Sequence, residues 1–480
     1  MINFINIKET LVALIYLLSA VMFIIGIKQL ANPKSAVSGN RLGALGMLVA
    51  ILGAVMDFGI AMDIDGNLSI TAAYWYVIII ALALGTIVGV FIGLKVAMTG
   101  MPQMVALLNG FGGLSSLLVA GIYLDQQLPI IANDAVVLIA TVLSGLIGAV
   151  TLTGSYLAYA KLQGIKWIPD QPVRFKGDLI IKLMAIFMLF VVGGYFVVVP
   201  STPLYVGLVI GGFILGILLV IGIGGADMPV VIALLNSYSG LAAAATGFVL
   251  NNLLLIITGS LVGASGIILS AIMCKAMNRS LLNVLFGGFG KVVASASTQD
   301  IYAGKVKQTS AEEVAMILQA CQRVVIVPGF GMAVARASSA VKQLCDALEK
   351  NGIEVVFGIH PVAGRMPGHM NVLLAEESIA YEKMLDLDTV NPTFKNTDLV
   401  LVIGANDVVN PLARDATSSI AGMPILNVDE ARTCIVIKRS LGSGFAGLAN
   451  PLFTFPSTLL LLNDAKKAIE GIVKSYKELG

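Results

Sequence analysis

Charged residues are scarce in this chain of 480 residues: Asp, Glu, Lys and Arg make up 12% of it, whereas hydrophobic residues make up 57%. A soluble fold cannot bury so large a share of apolar side chains. The composition therefore excludes an ordinary soluble protein and predicts that a lipid bilayer surrounds part of the chain. The net charge of +2 gives no indication of a nucleic-acid partner.

Cysteine and histidine are also rare, with four and two residues. The cysteines have no CxxC spacing, which disfavours a zinc site or a disulfide framework, so we interpret them as reduced packing residues. They are Cys274, Cys321, Cys345 and Cys434. Both histidines, His360 and His369, lie in the C-terminal half, so the membrane half has no histidine to carry a proton near neutral pH.

Nine apolar runs precede residue 277, each of about 20 residues, the length of a membrane-spanning helix. They lie at roughly 9–31, 41–63, 73–97, 102–122, 133–160, 177–199, 203–223, 229–249 and 251–276. No cleavage site follows the first run, which we therefore keep as an anchor. Charges are common after the last run. The sequence thus predicts a transmembrane domain at 1–280, a linker at 281–309 and a soluble domain at 310–480.

Basic residues mark alternate loops, which tests the number of spans because cytoplasmic loops carry the excess of Lys and Arg. Basic residues follow the first, third, fifth and ninth spans. The loops after the second and fourth spans contain only acidic charges, at Asp63, Asp65, Asp125 and Asp134. This pattern predicts an external N-terminus and a cytoplasmic C-terminal domain.

A sequence duplication lies inside the membrane half, where MPQMVALLNGFGGL at 101–114 recurs as MPVVIALLNSYSGL at 228–241. Both copies begin a span at the cytoplasmic side, so they run in the same direction, as parallel repeats do. Asn109 and Asn236 should lie at matching depth, where an amide must hydrogen-bond inside the bundle. Two interpretations stay open: a polar pair that lines a water or proton path, or a hydrogen bond that packs two helices.

Charged residues near the ends of the last two spans are candidates for coupling. Asp227, at a cytoplasmic span end, is the one candidate for titration in the membrane half, and any further proton carrier should come from another chain. Lys275 and Arg279 lie between the last span and the linker. They either transmit a change between the domains or anchor the span by the positive-inside rule.

Strand and helix patterns alternate in the soluble part, after a linker rich in Gly, Ala and Ser from 287 to about 308. The string SAEE at 310–313 has the spacing of a capping box and predicts a helix start. Continuous apolar strands between helices indicate a parallel sheet covered on both faces, in a Rossmann-like α/β domain. We predict strands at 323–328, 353–360, 399–404, 433–438 and 458–462, and helices at 332–350 and about 373–385.

The glycine-rich string GFGMAV at 329–334 joins the first strand to the first helix, where backbone amides and the helix N-terminus can hold a pyrophosphate. A plain tight turn is the alternative explanation. Two further loops follow strands at the same edge, GAND at 404–407 and PVAGRMPGH at 361–369. The second contains an arginine with both histidines nearby, which indicates ligand contact more than packing.

The ends of two strands favour NADP(H) over NAD(H). An NAD site usually has a carboxylate after the second strand for the ribose 2′-hydroxyl, but this strand ends with FGIHP at 357–361. Lys438, Arg439 and Ser440 end a later strand and offer the donors that a 2′-phosphate needs. The glycines that follow permit close backbone approach. A solvated basic pair at a strand end is the alternative.

From the second span to its C-terminus, the chain resembles the β subunits of proton-translocating NAD(P) transhydrogenases. The most specific matches are GGADMP at 224–229, NSYSG at 236–240, MCKAMNRS at 273–280, GIHPVAGRMPGHMN at 358–371 and GAND at 404–407. The resemblance implies hydride transfer between NAD(H), bound on a separate α subunit, and NADP(H), bound on this chain. It also implies coupling to proton translocation across the inner membrane, in a dimer of α–β units. The chain has no second dinucleotide motif, which agrees with an NAD-binding partner.

The resemblance and the glycine-rich turn together give the predicted NADP(H) site. The family's usual tyrosine is replaced by Phe330 and Phe445 in two glycine-rich turns, so ring stacking is kept and a hydroxyl contact is lost. The predicted cofactor-binding residues are Gly329, Phe330, Gly331, Val334, Val362, Ala363, Gly364, Arg365, Met366, Pro367, Gly404, Ala405, Asn406, Asp407, Val408, Gly422, Met423, Lys438, Arg439, Ser440, Leu441, Gly442, Ser443, Gly444, Phe445, Asp464 and Ala465.

The fourth span departs from the family pattern. Many members have a histidine there as the protonatable group of the channel, and this chain has Asn109. The resemblance then implies either a relay histidine on a membrane helix of the α subunit, which we favour, or weakened coupling. Asn236, Asp227, Lys275 and Arg279 match the family's channel and its cytoplasmic mouth. With Asn109 they are the predicted residues of the proton path and of coupling.

A function of another class stays open, namely a transporter or channel that NADPH gates without hydride transfer. It predicts a closed nucleotide pocket with no face open to a second dinucleotide. A purely structural membrane anchor fits poorly with the many Gly and Arg residues that converge on one edge of the sheet.

Overall fold

The computed structural model of the chain describes residues 2–30, 35–65, 68–97, 100–165, 167–169, 172–173, 175–278, 280–286, 302, 306–365, 368–418, 420–444 and 446–479. At 2–9, 58–65, 68–74, 226 and 286 it describes the backbone alone. Four predicted site residues, Arg279, Met366, Pro367 and Phe445, lie outside the described residues, as does most of the predicted linker.

The described part of the chain contains nine helices that are long and apolar enough to cross a membrane. Each predicted span coincides with one of them, which confirms the multi-span fold. In a bilayer such helices satisfy their backbone polar groups internally. They are α1 (Ile2–Leu30), α2 (Ala36–Asp65), α3 (Leu68–Lys95), α4 (Met101–Ile131), α5 (Ala135–Gln163), α6 (Asp178–Val198), α7 (Thr202–Ile221), α8 (Met228–Val249) and α9 (Leu253–Ala276).

The chain forms two compact units. The first comprises 1–159, 180–218 and 234–267, and the second comprises 160–179, 219–233 and 268–480. The last residues of α5 and α9 and the connection between α7 and α8 therefore belong with the C-terminal sheet. The domain boundaries that composition suggested, at 280 and 309, stay a prediction.

Small residues bring helices of the first unit into backbone contact. A methyl group on Gly113 of α4 would lie 2.5 Å from the carbonyl oxygen of Gly148 in α5. A methyl group on Gly240 of α8 would lie 2.5 Å from the amide nitrogen of Gly263 in α9. Helices in lipid associate through such close packing because no hydrophobic force drives them together.

The second unit continues with short helices and a sheet. Its helices after the membrane spans are α10 (Leu281–Phe286), α11 (Ala311–Gln319), α12 (Phe330–Val334), α13 (Ser338–Lys350), α14 (His369–Glu376), α15 (Leu387–Val390) and α16 (Ala465–Leu479). Its strands are β1 (Arg323–Pro328), β2 (Glu354–Ile359), β3 (Met384–Asp386), β4 (Leu399–Ile403), β5 (Thr433–Lys438) and β6 (Thr458–Leu462).

The six strands form one parallel sheet in the order β3-β2-β1-β4-β5-β6. Val325 of β1 pairs with Val356 of β2 on one side and with Val400 of β4 on the other. This sheet confirms the Rossmann-like fold. Because the strand order reverses between β1 and β4, the chain continues from these two strands in opposite directions along the sheet, which creates a crevice at the carboxyl edge.

The core of the second unit covers both faces of the sheet. Every residue of β4 is buried. On one face α11, α13 and α16 pack together. On the other face Val325 and Val327 pack with Val390, Phe394 and Phe453. The four cysteines are buried and free of disulfides, as predicted.

Two predicted helices were partly wrong. The helix expected at 332–350 is divided into α12 and α13, because Arg336 adopts a left-handed conformation with φ of +51°. The helix expected at about 373–385 ends at Glu376, and Ser378 is left-handed with φ of +58°. The apolar residues after it form β3, where Met384 pairs with Phe357 of β2.

Both ends of the predicted linker lie within the described residues. Residues 281–286 form α10, and the segment just before α11 runs beside β6, where the Leu460 amide donates to the Lys307 carbonyl at 2.8 Å. The predicted capping box is confirmed, since the Glu313 amide donates to Ser310 Oγ at 3.2 Å and the Ser310 amide donates to Glu313 Oε2 at 3.3 Å. Residues 287–301 and 303–305 lie outside the described part.

Candidate nucleotide-binding site

A cavity of about 450 Å³ lies at the carboxyl edge of the sheet, within the second unit. Loops that follow β1, β2, β4, β5 and β6 contribute to its wall. Its volume is in the range of small-molecule and cofactor sites. The crevice that the strand order creates is therefore a formed pocket.

Glycines allow the turns after β1 and β4 to touch. The Gly331 amide donates to the Gly404 carbonyl at 2.9 Å, and the Gly329 amide donates to the Ile403 carbonyl at 2.9 Å. Gly404 has φ of +65°, and a methyl group there would lie 2.5 Å from the Gly331 Cα. These two amides thus hold the β4 turn, and the glycines are required for close backbone approach.

Lys438 reaches back into the loop that follows its strand. Its Nζ donates to the Gly442 carbonyl at 2.9 Å and lies 4.6 Å from the centre of the Phe453 ring. Burial lowers the pKa of Lys438 to about 8, although the nearby Asp407 carboxylate acts in the opposite direction. Asp407 Oδ2 in turn accepts from the Ala446 amide at 3.0 Å. An amine and a carboxylate therefore line the same wall of the cavity.

The end of β2 carries a buried neutral histidine where many NAD sites have a carboxylate. His360 is 1% exposed, and its Nε2 lies 2.8 Å from the Pro424 carbonyl oxygen. Its Nδ1 accepts from the Val362 amide at 3.2 Å, so the proton is on Nε2. Burial lowers the pKa of His360 to about 4. His360 thus joins the loop after β2 to the segment at Pro424, and it adds no negative charge beside the cavity.

The loop after β2 places Arg365 at the margin of the cavity. The Arg365 amide donates to His369 Nδ1 at 3.0 Å, and its guanidinium carbon lies 4.4 Å from the centre of the Phe330 ring. Its Nη1 donates to the Leu162 carbonyl at 2.8 Å. Burial and the Arg365 charge lower the pKa of His369. Gly364 and Phe330 line the cavity, whereas Arg365 is not among the lining residues.

Two lining residues come from the ends of membrane helices and were missed from the sequence. Gly225 precedes α8, and Met277 follows α9. Next to Met277, Asn278 Nδ2 donates to the Ala421 carbonyl at 2.6 Å. The sequence could have indicated these two positions, because each lies two residues from a predicted coupling residue, Asp227 or Lys275.

The two repeats contact each other at equivalent positions. A methyl group on Gly112 of the first copy would lie 2.4 Å from Oγ of Ser239 in the second copy. Asn109 is buried in α4 and Asn236 is half-buried in α8, each one turn before that contact. The matched depth predicted for the two asparagines agrees with this packing.

Two other predicted coupling residues, Asp227 and Lys275, belong to the second unit. Asp227 is half-buried at the end of the short 3-10 helix Gly225–Asp227, just before α8. Lys275 is exposed in the last turn of α9.

Most of the predicted cofactor residues converge on the cavity. Those that line it are Gly329, Phe330, Gly331, Val362, Ala363, Gly364, Gly404, Ala405, Asn406, Asp407, Val408, Met423, Lys438, Arg439, Ser440, Gly442, Ser443, Gly444, Asp464 and Ala465. Described residues that were predicted but do not line it are Val334, Arg365, Gly422 and Leu441. Lining residues that were not predicted are Gly225, Met277, Ala335, Ile420, Ile437, Ala446 and Asn463.

Comparison with known proteins gives concordant matches over almost the whole chain. The protein-family model described as "NAD(P) transhydrogenase beta subunit" matches residues 12–475. Two curated sequences from Rhodospirillum rubrum, both named "NAD(P) transhydrogenase subunit beta", are 45% identical over 467 residues. The aligned region covers 96% of this chain and 98% of each relative.

Proposed function

Because the chain belongs to the family of NAD(P) transhydrogenase β subunits, we propose that it binds NADP(H) in the cavity at the edge of its sheet. In this proposal it exchanges hydride with NAD(H) held by a partner α subunit, and proton passage across the inner membrane drives the exchange. The functional unit is a dimer of α–β units, with an external N-terminus and a cytoplasmic nucleotide domain.

The observation that carries the proposal is the charge distribution around the cavity. Lys438 and Arg439 line it at the end of β5 together with the Ser440 hydroxyl, while His360 stands at the end of β2. A 2′-phosphate needs charge-assisted donors, which Lys, Arg and Ser provide. A free ribose 2′-hydroxyl is instead usually recognised by a carboxylate at the end of the second strand.

Asn406, which lines the cavity, contains a polar atom without a partner among the described residues. Asn406 Nδ2 is buried and makes no hydrogen bond to any residue within the described part of the chain. Such a buried donor is unfavourable unless a partner satisfies it. When bound, NADPH supplies the hydride from its nicotinamide ring. The chain itself has to bind and orient that ring and exclude water, for which apolar lining residues such as Ile420, Met423 and Ile437 are suited.

Proton coupling gives the exchange its direction. The two nicotinamides differ only at a remote phosphate, so the transfer is close to thermoneutral. One charge that crosses about 100 mV provides roughly 2.3 kcal/mol. Protonation in the membrane helices can shift the hydride equilibrium only if it favours one of two protein states that differ in their affinities for NADP⁺ and NADPH. Asn109 cannot titrate, so we assign the relay group to a membrane helix of the α subunit.

The proposal is tested with the chain assembled with its α subunit in sealed vesicles. NADPH should reduce an NAD analogue, and the internal pH should change unless an uncoupler is present. Reduction without a pH change would overturn proton coupling. Tight NADPH binding without any reduction would overturn hydride transfer and favour a gated transporter.

A matched pair of variants tests the nucleotide specificity. Arg439→Gln should weaken NADPH binding by roughly tenfold or more, since a hydrogen bond to a charged group contributes about 1.5–3 kcal/mol. Arg432→Gln removes the same charge just before the opposite end of β5 and should leave binding unchanged. Equal losses in both variants would contradict a 2′-phosphate contact at Arg439.

A further inference from the structure

A buried lysine ties the end of α5 to the connection between α7 and α8. Lys161 lies in the last turn of α5 and is 4% exposed. Its Nζ donates to the Ile221 carbonyl at 2.7 Å and to the Ile223 carbonyl at 2.8 Å. Carbonyls at the C-terminal end of a helix lack partners within the helix and carry its negative dipole charge, so an ammonium group is well placed there.

The connection that Lys161 holds also forms part of the nucleotide cavity. Ile223 is followed within two residues by Gly225, which lines the cavity. Asp227 then ends the short helix and α8 begins at Met228. The start of α8 is therefore joined by a short segment to both the cavity wall and the two carbonyls on Lys161.

The residue after Lys161 contacts the nucleotide loop from the other side. The Leu162 carbonyl accepts from Arg365 Nη1 at 2.8 Å. Arg365 follows the lining residue Gly364, and its guanidinium group stacks on the lining residue Phe330. The contacts thus form a closed ring: cavity, α7–α8 connection, end of α5, nucleotide loop and cavity again. All members of the ring belong to the second unit.

We propose that Lys161 is a positioning residue for coupling. Through it, a change in the position of the α7–α8 connection changes the position of the nucleotide loop, and the reverse. The inference rests on the proposed function. A buried ammonium group is unfavourable when it loses acceptors, so a movement of the two carbonyls at the start of α8 favours a matching movement of Lys161. The end of α5 moves with it, and the Leu162 carbonyl then changes the position of Arg365 beside the cavity.

A merely structural role makes a different prediction. If Lys161 only caps α7 or adds positive charge to one end of the bundle, its loss lowers the amount of assembled protein but leaves the response to a proton gradient intact. Contiguous contacts alone do not establish coupling, so the gradient response is the decisive measurement.

The test compares the parent enzyme, Lys161→Met, Lys161→Arg and Lys95→Met, each assembled with the α subunit in sealed vesicles. Lys95→Met is the matched control, because Lys95 is an exposed lysine in the last turn of another span, α3. Hydride transfer from NADPH to an NAD analogue is measured with uncoupler and under an imposed pH gradient, and the KM for NADPH is determined in both states.

We expect the rate of Lys161→Met with uncoupler to stay within about twofold of the parent rate. The stimulation by the gradient and the gradient-dependent shift in KM should each be at least about fivefold smaller than in the parent. Lys161→Arg should restore most of the response, and Lys95→Met should behave as the parent. A parent-like gradient response in Lys161→Met would overturn the inference. A parent that transfers no hydride would instead overturn the proposed function, which keeps the two failures distinct.

A second measurement covers the case in which Lys161→Met does not assemble. Hydrogen exchange of the parent enzyme, compared between NADPH and NADP⁺, should change together in the peptides around 160–165 and 219–227. Exchange differences confined to the loops after the strands would overturn the proposed link through the end of α5.

Discussion

The hydroxyl oxygen of Tyr302 accepts a hydrogen bond of 2.6 Å from the backbone amide of Asn450. Tyr302 belongs to the predicted linker, yet it is buried, and its ring lies 5.8 Å from the ring of Phe453. Asn450 Nδ2 in turn donates to the carbonyl oxygen and Oδ1 of Asn406, each at 3.1 Å. The linker is thereby attached to a residue in the wall of the nucleotide cavity.

Removal of the Tyr302 hydroxyl should disturb both stability and nucleotide binding. Tyr302→Phe leaves the buried Asn450 amide without its acceptor, which costs about 1–3 kcal/mol. We expect a lower thermal midpoint and weaker NADPH binding in the full-length protein, measured by thermal unfolding and by titration. Tyr381→Phe, at a half-buried tyrosine, is the control and should change neither. Unchanged stability in Tyr302→Phe would show that water or another group replaces the acceptor.

The contact between the turns after β1 and β4 should not tolerate a side chain. Gly404→Ala combines a left-handed conformation with a methyl group 2.5 Å from the Gly331 Cα, so the turns must separate. NADPH affinity should fall by at least about tenfold, in addition to a strain of about 1 kcal/mol. Gly352→Ala is the matched control, since φ there is +79° and no atom lies within 4 Å of the added methyl group. It should lose stability by a similar strain and keep its affinity.

The affinity for a phosphorylated nucleotide should depend on pH through Lys438. Its pKa of about 8 means that the amine is charged below pH 8, where binding needs no proton. Above pH 8 binding has to take up a proton, so affinity should fall by up to about tenfold per pH unit. Titrations with NADPH should show this fall in the parent and not in Lys438→Arg, which stays charged. Parallel falls in both proteins would exclude Lys438 as the source.

Acid should destabilise the nucleotide domain through His360. An unfolded histidine binds a proton below its ordinary pKa of about 6.5, whereas folded His360 binds one only near pH 4. The contribution of His360 to the free energy of unfolding is therefore fully present above pH 6.5. It is lost as the pH drops from about 6.5 towards 4, by about 3 kcal/mol in total. Thermal unfolding of the full-length protein at pH 7.5 and 5 should show a smaller pH effect in His360→Gln than in the parent.

A control for the histidine prediction lies in the same set of loops. Asn391 Nδ2 donates to the Ile425 carbonyl at 3.0 Å, one residue from the Pro424 carbonyl that His360 contacts. Asn391→Ala removes this hydrogen bond and the one that Asn391 Oδ1 accepts from the Asn427 amide, without removing a titrating group. It should lower stability by the same amount at both pH values, and a loss confined to pH 5 would point to a general acid sensitivity of these loops.

Local patterns predicted regular elements well where one physical rule dominated. The apolar strands at 323–328, 433–438 and 458–462 were predicted with the bounds that the structure has, because a buried parallel strand needs apolar residues on both faces. The strand β3 was missed, since its three residues continue an apolar pattern that a helix also fits. The break between α12 and α13 depends on the left-handed Arg336, and an arginine is not a typical signal for such a turn.

The sequence by itself determined the membrane half, the parallel sheet and the edge at which the nucleotide cavity forms, because apolar length, strand pattern and glycine turns act within short segments. Only the tertiary structure decided that Gly225 and Met277 line the cavity and that Arg365 contacts Leu162. Every residue has the same backbone carbonyl, so no side-chain pattern can reveal which one accepts from a distant arginine or lysine. Packing alone brings such partners within hydrogen-bond distance.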